Sequence, residues 1–571
     1  MSERPLSSPS SGNFNSDELV FMALGGLGEI GMNVYLYGFG PPRARSWLMV
    51  DLGVTFPHES EPGADVVLPD LRYIIAERRN LAGLVLTHAH EDHIGAVIDL
   101  WPSLECPIFA TPFTSRMLKI KLGEFGGSRT LPITEIPLGG RFKAGPFNVE
   151  FVSLTHSIPE PNGLAIRSPA GIVFHTGDWK LDPTPVVGRP HDVEKLEALG
   201  KEGVLALVGD STNAMREGRS ASEADVAQTL KKIIADAPRC VAVTLFASNV
   251  ARVASIAAAA HAAGRSLVVA GRALHRIIEV AVETGYLPES FTYLDQQRFS
   301  ELSRNKVVVL CTGSQGESRA AISRIAEDEH PDISLDKGDL VIFSSRTIPG
   351  NEKAVSRVQN ALARLGVDII TDGEALVHVT GHPRRDELKD MYAWLRPKIA
   401  VPMHGEARHL KEHAKLARAC GAGETFTIVD GEMLKLWPAP ASVIDEAPVG
   451  RLYRDGNLIV PDIEGPVKAR RKLSFVGIAV VAMALTRRGE VMGEPGLVLE
   501  GIPAADRDGD SMREIVFDAI DGTIRSIPPK RRGDHVMLQD AVQRAVRSAI
   551  NEAWGKKPVV KVLLSVVDGR N

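Results

Sequence analysis

The sequence has little cysteine and no spacing that would put it to use. Four cysteines (Cys106, Cys240, Cys311 and Cys420) are scattered over 571 residues without a CxxC pair. That excludes a disulfide framework or a thiolate zinc ribbon, and leaves buried free thiols in a reducing, cytoplasmic setting as the expectation. No apolar run approaches the roughly 18 residues a membrane span needs, so no membrane association is expected. The stretch 1–17 is rich in Ser and Pro and lacks a basic segment leading into an apolar one. It reads as a disordered tail, not a secretory signal. An excess of positive charge is missing too. The net charge of −5 gives no support for binding a polyanion over the whole surface, and leaves only a local basic groove open. The densest basic clusters, 468–472 and 530–532, come late in the chain and read as solvated surface.

What is present is apolar material in a regular order. A hydrophobic fraction of 44% over 571 residues suffices for several cores, and the length predicts two to four domains. Short β-branched runs end in Gly, Ser, Asp or His turns at 81–87, 171–178, 204–212, 241–248, 266–271, 306–312, 339–345, 375–381 and 398–405. Such continuous runs suit strands buried on both faces, and helices predicted at 223–237, 250–263, 354–365 and 384–395 make the layering α/β. The Pro/Ala-rich stretch 437–449 reads as a linker. Beyond it, a smaller unit from about 451 to 571 carries a predicted strand at 474–484, a helix at 539–554 and a last strand at 558–567.

Gly26-Leu-Gly28-Glu-Ile-Gly31 fits the GxGxxG pattern, with Asp51 at a dinucleotide-like distance. That chemistry needs a helix after the third glycine, whose N-terminus holds the pyrophosphate. The residues that follow, Met32-Asn-Val-Tyr-Leu-Tyr, read as a strand, so the expectation is a glycine-turned hairpin.

The decisive segment is Thr87-His88-Ala89-His90-Glu91-Asp92-His93, directly after an apolar run. It presents His88 and His90 from an extended loop, and Asp92 and His93 from the start of a helix. Imidazole nitrogens and carboxylate oxygens are the donors that catalytic zinc takes. Asp51, His156, Asp178 and His404 each close another apolar run. A strand-terminal Asp alone is usually a turn residue, but the four together, Asp51 before HxHxDH and the other three after it, form a specific pattern.

On these residues the sequence resembles the metallo-β-lactamase superfamily, more narrowly the β-CASP nucleases, and most closely bacterial ribonuclease J. The resemblance runs from about residue 20 through GGLGEIGMN, THAHEDHIG, GDST, FASN, TGSQGE, IPGNE, HVTGH and MHGE. It implies an α/β fold: a metallo-β-lactamase αββα sandwich with an inserted α/β β-CASP domain and a small α+β C-terminal domain. The corresponding boundaries are 18–210 and 371–440 for the sandwich, 211–370 for the insertion, 441–453 for a linker and 454–571 for the last domain.

Carried over by position, His88, His90 and His156 hold one metal, Asp92, His93 and His404 a second, and Asp178 bridges them. Asp51 orients ligand histidines from behind. The implied cofactor is two Zn²⁺ per subunit, with Mn²⁺ or Mg²⁺ as alternatives. A histidine at 404 goes with RNA-processing members. Asp92, Asp210 and His382 are the catalytic candidates, and Ser248, Asn249, Ser314, Thr380, Gly381 and His382 the candidates for gripping substrate. The family's HxSGH segment has Thr380 in place of its Ser, followed by Pro383 after the second histidine; the hydroxyl survives, and the extra methyl puts the fine positioning of substrate in question.

The implied activity is RNA phosphodiester hydrolysis, 5′→3′ with some endonucleolytic cutting, by a hydroxide activated between two metals. It belongs to RNA maturation and mRNA decay. The implied partners are 5′-monophosphorylated single-stranded RNA, further copies in a homodimer or homotetramer, and an RNA-decay complex. A DNA nuclease, a small-molecule hydrolase and a non-catalytic RNA-binding scaffold stay open as alternatives. The long insertion argues against the small molecule, and the filled ligand positions against the scaffold.

Overall fold

The structure is a computed structural model that describes residues 16–58, 60–124, 130–462 and 465–567. The predicted N-terminal tail therefore lies almost wholly outside the described residues. The chain divides into two compact units: residues 1–55 with 68–450, and residues 56–67 with 451–571.

The first unit is built on two facing sheets. One has eight strands, in the order Ser442–Glu446, Glu432–Trp437, Glu18–Gly25, Val34–Gly40, Ser46–Val50, Leu81–Val85, Ile108–Ala110 and Ile133–Glu135. The other has seven, in the order Glu424–Thr425, Ile399–Met403, Val204–Asp210, Gly171–His175, Asn162–Ser168, Phe147–Ser153 and Arg141–Ala144. One core joins their inner faces, with Phe21, Tyr35, Val50 and Val85 from the first sheet and Phe151, Val173, Val208 and Val401 from the second. Helices Val193–Glu202, Arg385–Leu395 and Ala407–Ala419 cover the outer face of the second sheet through Leu196, Leu199, Leu388, Met391 and Leu416. This burial on both sides explains why the strands read as unbroken apolar runs rather than alternating ones.

The inserted segment forms a separate six-stranded parallel sheet, ordered Leu294–Asp295, Ser266–Ala270, Val307–Cys311, Val241–Thr244, Leu340–Phe343 and Asp368–Ile370. Its helices include Glu223–Asp236, Val250–Ala262 and Glu352–Arg364, which lie where the apolar spacing predicts them.

The glycine loop is a hairpin connection, as its strand-like continuation predicts. Glu18–Gly25 pairs antiparallel with Val34–Gly40. Within the loop, Leu27–Gly28 pairs parallel with Gly405–Glu406, and the His404 amide donates to the Gly26 carbonyl at 2.9 Å. The loop thus clasps the strand end that carries His404.

Three sequence expectations need correction. Residues 375–381 are not a strand. Val377 turns both its backbone groups away from any ladder: its O receives bonds from Arg252 Nη1 at 2.9 Å and Ser344 Oγ at 2.7 Å, and its amide donates to Ala375 O at 2.8 Å. The 437–449 stretch is not a plain linker, because Ser442–Glu446 pairs with Glu432–Trp437 as the edge of the eight-stranded sheet. In the second unit, helix Pro466–Val476 occupies the start of the predicted strand 474–484. Gly477 at φ 64° ends the helix, and the strand Ile478–Leu485 follows.

The second unit is a three-stranded sheet, Gly496–Glu500, Ile478–Leu485 and Val559–Val566, packed under helices Met512–Ser526 and His535–Trp554 through Val516, Ile520, Leu538, Val542 and Val546. Residues 56–67 also belong to it, with Glu61 Oε1 accepting from the Tyr453 hydroxyl at 2.6 Å.

Candidate metal centre

The site residues stand just past the C-terminal ends of strands from both sheets of the sandwich. Asp51 follows Ser46–Val50, His88 and His90 follow Leu81–Val85, and His93 lies in the one-turn helix Glu91–Ile94. His156, Asp178 and His404 follow Phe147–Ser153, Gly171–His175 and Ile399–Met403. Two of them are bent against ordinary backbone preference: Asp51 has φ 60° and His404 φ 50°, the left-handed region in which strain gathers at functional sites. Close backbone approach is also built in. A Cβ on Gly53 would fall 1.7 Å from the Asp92 carbonyl oxygen, so only glycine lets the two loops meet.

The side chains converge into two groups that share a carboxylate. His88, His90, His156 and Asp178 bring donor atoms within 4.8 Å of one another, and so do Asp92, His93, Asp178 and His404. In the first, His90 Nδ1 is 3.1 Å from both His88 Nε2 and His156 Nε2. In the second, Asp178 Oδ2 is 3.2 Å from His93 Nε2 and 3.3 Å from His404 Nε2, while Asp92 Oδ2 is 3.6 Å from His93 Nε2.

Hydrogen bonding does not satisfy this cluster. One proton cannot serve His90 Nδ1 toward two neighbours, and the buried atoms His404 Nε2 and Asp178 Oδ1 have no hydrogen-bond partner. Burial, reinforced by the neighbouring imidazoles, pushes His88 and His156 well below the usual histidine range. Burial also takes His90 down to about 4, so all three offer lone pairs at neutral pH. Burial would raise Asp178, but His404, His93 and His382 outweigh it and hold that carboxyl well below its ordinary value. Burial would lower His93, but Asp178, Asp92 and Asp51 outweigh it and hold it well above the usual histidine range. Three neutral imidazoles on one side, and carboxylates gathering positive charge on the other, fit metal ions, which would supply the missing partner for each orphaned atom.

Partners behind the clustered side chains fix their orientation. Asp51 Oδ2 lies 2.7 Å from His93 Nδ1, and the Asp51 carboxyl accepts from the Thr87 amide and hydroxyl at 2.8 Å each. The Thr87 hydroxyl sits 3.0 Å from His88 Nδ1. His156 Nδ1 donates to the Gly381 carbonyl at 2.6 Å. Burial works against ionisation of Asp51, with His93 pulling the other way, and the net shift is upward. Sequence alone does not single out Thr87 or Asn33, although both stand inside quoted motifs. A polar residue opening or closing an otherwise buried apolar run was the available signal.

The remaining candidates fall into two classes. His382 Nδ1 donates to Asp210 Oδ2 at 2.8 Å and lies 3.9 Å from Asp178 Oδ2. Burial disfavours its charge, yet Asp210 and Asp178 carry its pKa up to about 9. Ser248, from the insertion, places Oγ 3.1 Å from His90 Nε2. Thr380 Oγ1 accepts from Asn213 Nδ2 at 2.8 Å and from the His382 amide at 3.2 Å. Gly381 leaves no room for a side chain, since a Cβ would sit 2.6 Å from His156 Cε1 and Nδ1. These residues surround the cluster. Asn249 does not present itself to a ligand. Its Oδ1 caps helix Val250–Ala262 through the Arg252 amide, and its Nδ2 donates to Glu223. The structure buries Ser314 in the turn after Val307–Cys311, with no hydrogen bond to the cluster among the described residues.

Comparison with known proteins adds a consistent picture. Family models match in succession: "Beta-lactamase superfamily domain" over 61–197, "Ribonuclease J, beta-CASP domain" over 238–362, "Zn-dependent metallo-hydrolase RNA specificity domain" over 366–428 and "Ribonuclease J C-terminal domain" over 465–567. The chain is 51% identical to a ribonuclease J of Sinorhizobium meliloti over 96% of its own length and 98% of the relative's. It is 34% identical to one from Thermus thermophilus, covering 97% and 96%, and 38% identical to one from Corynebacterium glutamicum, covering 94% and 74%. A crystal structure of a protein of unknown function from Enterococcus faecalis superposes at a TM-score of 0.50 with 17% identity, over 73% of this chain and all of that one. That likeness concerns the fold alone.

Proposed function

The chain belongs to the ribonuclease J family, and on that premise we propose that it hydrolyses RNA phosphodiester bonds at the His/Asp cluster with two zinc ions. The observation that carries this reading is the single carboxylate, Asp178, common to two groups of donor atoms. The proposed ligands are His88, His90 and His156 for one ion and Asp92, His93 and His404 for the other, with Asp178 between them. Five imidazoles among seven ligands favour zinc over the oxygen-seeking Mg²⁺. When bound, the two ions supply a water that loses its proton near neutral pH and positive charge for the phosphoryl oxygens.

The chain's own residues do the rest. Asp51 and Thr87 hold His93 and His88 in one tautomer, so that each keeps a lone pair for its ion. Asp210 takes the Nδ1 proton of His382 in a hydrogen bond and fixes the ring, leaving Nε2 for a substrate oxygen. His382 thereby serves a non-bridging oxygen, or gives a proton to the departing 3′-oxygen. Ser248, Thr380 and the backbone at Gly381 are proposed to position the RNA phosphate next to the ions.

The proposed mode is 5′→3′ removal of mononucleotides with a preference for a 5′-monophosphate, accompanied by internal cuts. Cytoplasmic action and assembly as a homodimer or homotetramer belong to the same reading. End-labelled RNAs differing only in their 5′ group test it. Mononucleotides released faster from the monophosphate than from the triphosphate are expected. RNA left intact with zinc present, while DNA of the same sequence is cut, would contradict it.

A further inference from the structure

We infer that Asn33 is a positioning residue that makes the Asp92–His93–His404 group, and not the His88–His90–His156 group, competent to hold its metal ion. The inference rests on the two-metal reading above and adds a residue that reading does not use.

Asn33 is completely buried at the end of the glycine loop, and its one amide touches every member of that group. The His404 Nδ1–H donates to Asn33 Oδ1 at 2.8 Å. Asn33 Nδ2 has two protons, and with these on the Asp92 carbonyl oxygen at 3.0 Å and Asp92 Oδ2 at 3.3 Å the lone pair of His93 Nε2, 3.1 Å away, stays free. The amide cannot turn over, because the Asp92 carbonyl oxygen can only accept and so requires Nδ2 on its side; the Tyr35 hydroxyl donates to Oδ1 at 2.7 Å. Its backbone is pinned as well: the Asn33 amide donates to Asp92 O at 2.9 Å, and the Gly53 amide donates to Asn33 O at 3.0 Å.

Consequences follow from the tautomer. With its proton on Nδ1, His404 carries a lone pair on Nε2, the buried atom without a hydrogen-bond partner that stands 3.3 Å from Asp178 Oδ2. Among the described residues, Asn33 Oδ1 is the acceptor that imposes this choice. A bond from Nδ2 to Asp92 Oδ2 also limits which way that carboxylate faces. The other group takes its orientation elsewhere, from Thr87 Oγ1 behind His88, Gly381 O behind His156 and Ser248 Oγ behind His90. Asp51 does not discriminate, since it touches His93 directly and His88 through Thr87.

The test counts metal, not turnover. Full-length apo-protein is equilibrated with buffered Zn²⁺, and zinc per chain is measured for wild type, Asn33→Ala and Tyr35→Phe, with thermal melting as a check on folding. Wild type is expected to take two equivalents. Asn33→Ala is expected to keep one unchanged and bind the other on the order of 10–100-fold more weakly, the usual cost of losing a partner behind a metal ligand. Tyr35→Phe keeps the ring that packs in the core and loses only the hydroxyl, and should weaken the same equivalent by less. Added to His90→Ala, Asn33→Ala should compromise the remaining equivalent; added to His404→Ala, it should change nothing further. Equal weakening of both equivalents by Asn33→Ala overturns the inference, as does a Tyr35→Phe protein matching wild type. Both outcomes leave the two-metal reading intact. A wild-type protein that never takes a second equivalent overturns that reading and the inference together.

Discussion

The two halves of the metal centre are supported by different kinds of partner. Behind His88, His90 and His156 stand neutral oxygens: a threonine hydroxyl, a serine hydroxyl from the insertion and a glycine carbonyl. Behind His93, Asp92 and His404 stand a buried amide, Asn33, and a buried carboxylate, Asp51, which meets His93 directly and reaches His88 only through Thr87; both are held within the sandwich. The first half draws on three separate parts of the chain, Thr87, Ser248 and Gly381. The second half is a closed knot of the glycine loop and the ends of neighbouring strands. Rearrangement of the insertion should therefore disturb the first half and spare the second.

Removing what the halves share should have the largest effect. Asp178→Ala takes away the common carboxylate, and hydrolysis of RNA should fall on the order of 10³-fold or more, about 4 kcal/mol of transition-state stabilisation. Single-turnover rates at saturating zinc check this; a loss of only a few-fold would show that the halves act independently. Gly381→Ala is the next test, because it strikes one half alone. Its methyl group cannot sit 2.6 Å from the His156 ring without displacing it, so one zinc equivalent should weaken by roughly 10–100-fold while the other persists. Zinc counted per chain separates that result from a loss of both.

The smallest effect lies outside both halves and serves as their control. His413 is buried between Ser211 Oγ at 2.8 Å and the Tyr392 hydroxyl at 3.0 Å, and burial lowers its pKa to about 4. Its folded pKa is depressed below the unfolded value of about 6.5, so the unfolded chain binds the extra proton first. The stability it contributes is complete above pH 6.5 and is lost as pH falls toward 4. His413→Gln should flatten the acid limb of a stability-against-pH curve by about 1–3 kcal/mol and leave zinc stoichiometry at pH 7.5 unchanged. An unchanged acid limb would remove His413 from the account.

Much of this architecture was legible in the residues. Strands buried on both faces announce themselves as unbroken runs, and the donor residues that close them lie where the chain leaves the sheet. What escaped was decided by contacts distant in sequence. Residues 375–381 look like a strand, yet Arg252 and Ser344 claim Val377 O from another part of the fold. The helix before Gly477 is stopped by one glycine inside an apolar stretch, which periodicity alone does not resolve. Asn249 and Ser248 are adjacent and chemically alike, but one caps a helix while the other meets His90. Asn33 was invisible as a site residue because its partner His404 is 371 positions away.

The most direct test of the central claim is a zinc titration of the apo-protein read simultaneously as metal bound and RNA cleaved. Two shared-carboxylate positions predict that cleavage stays low through the first equivalent per chain and appears with the second. Full cleavage at one equivalent per chain would contradict it.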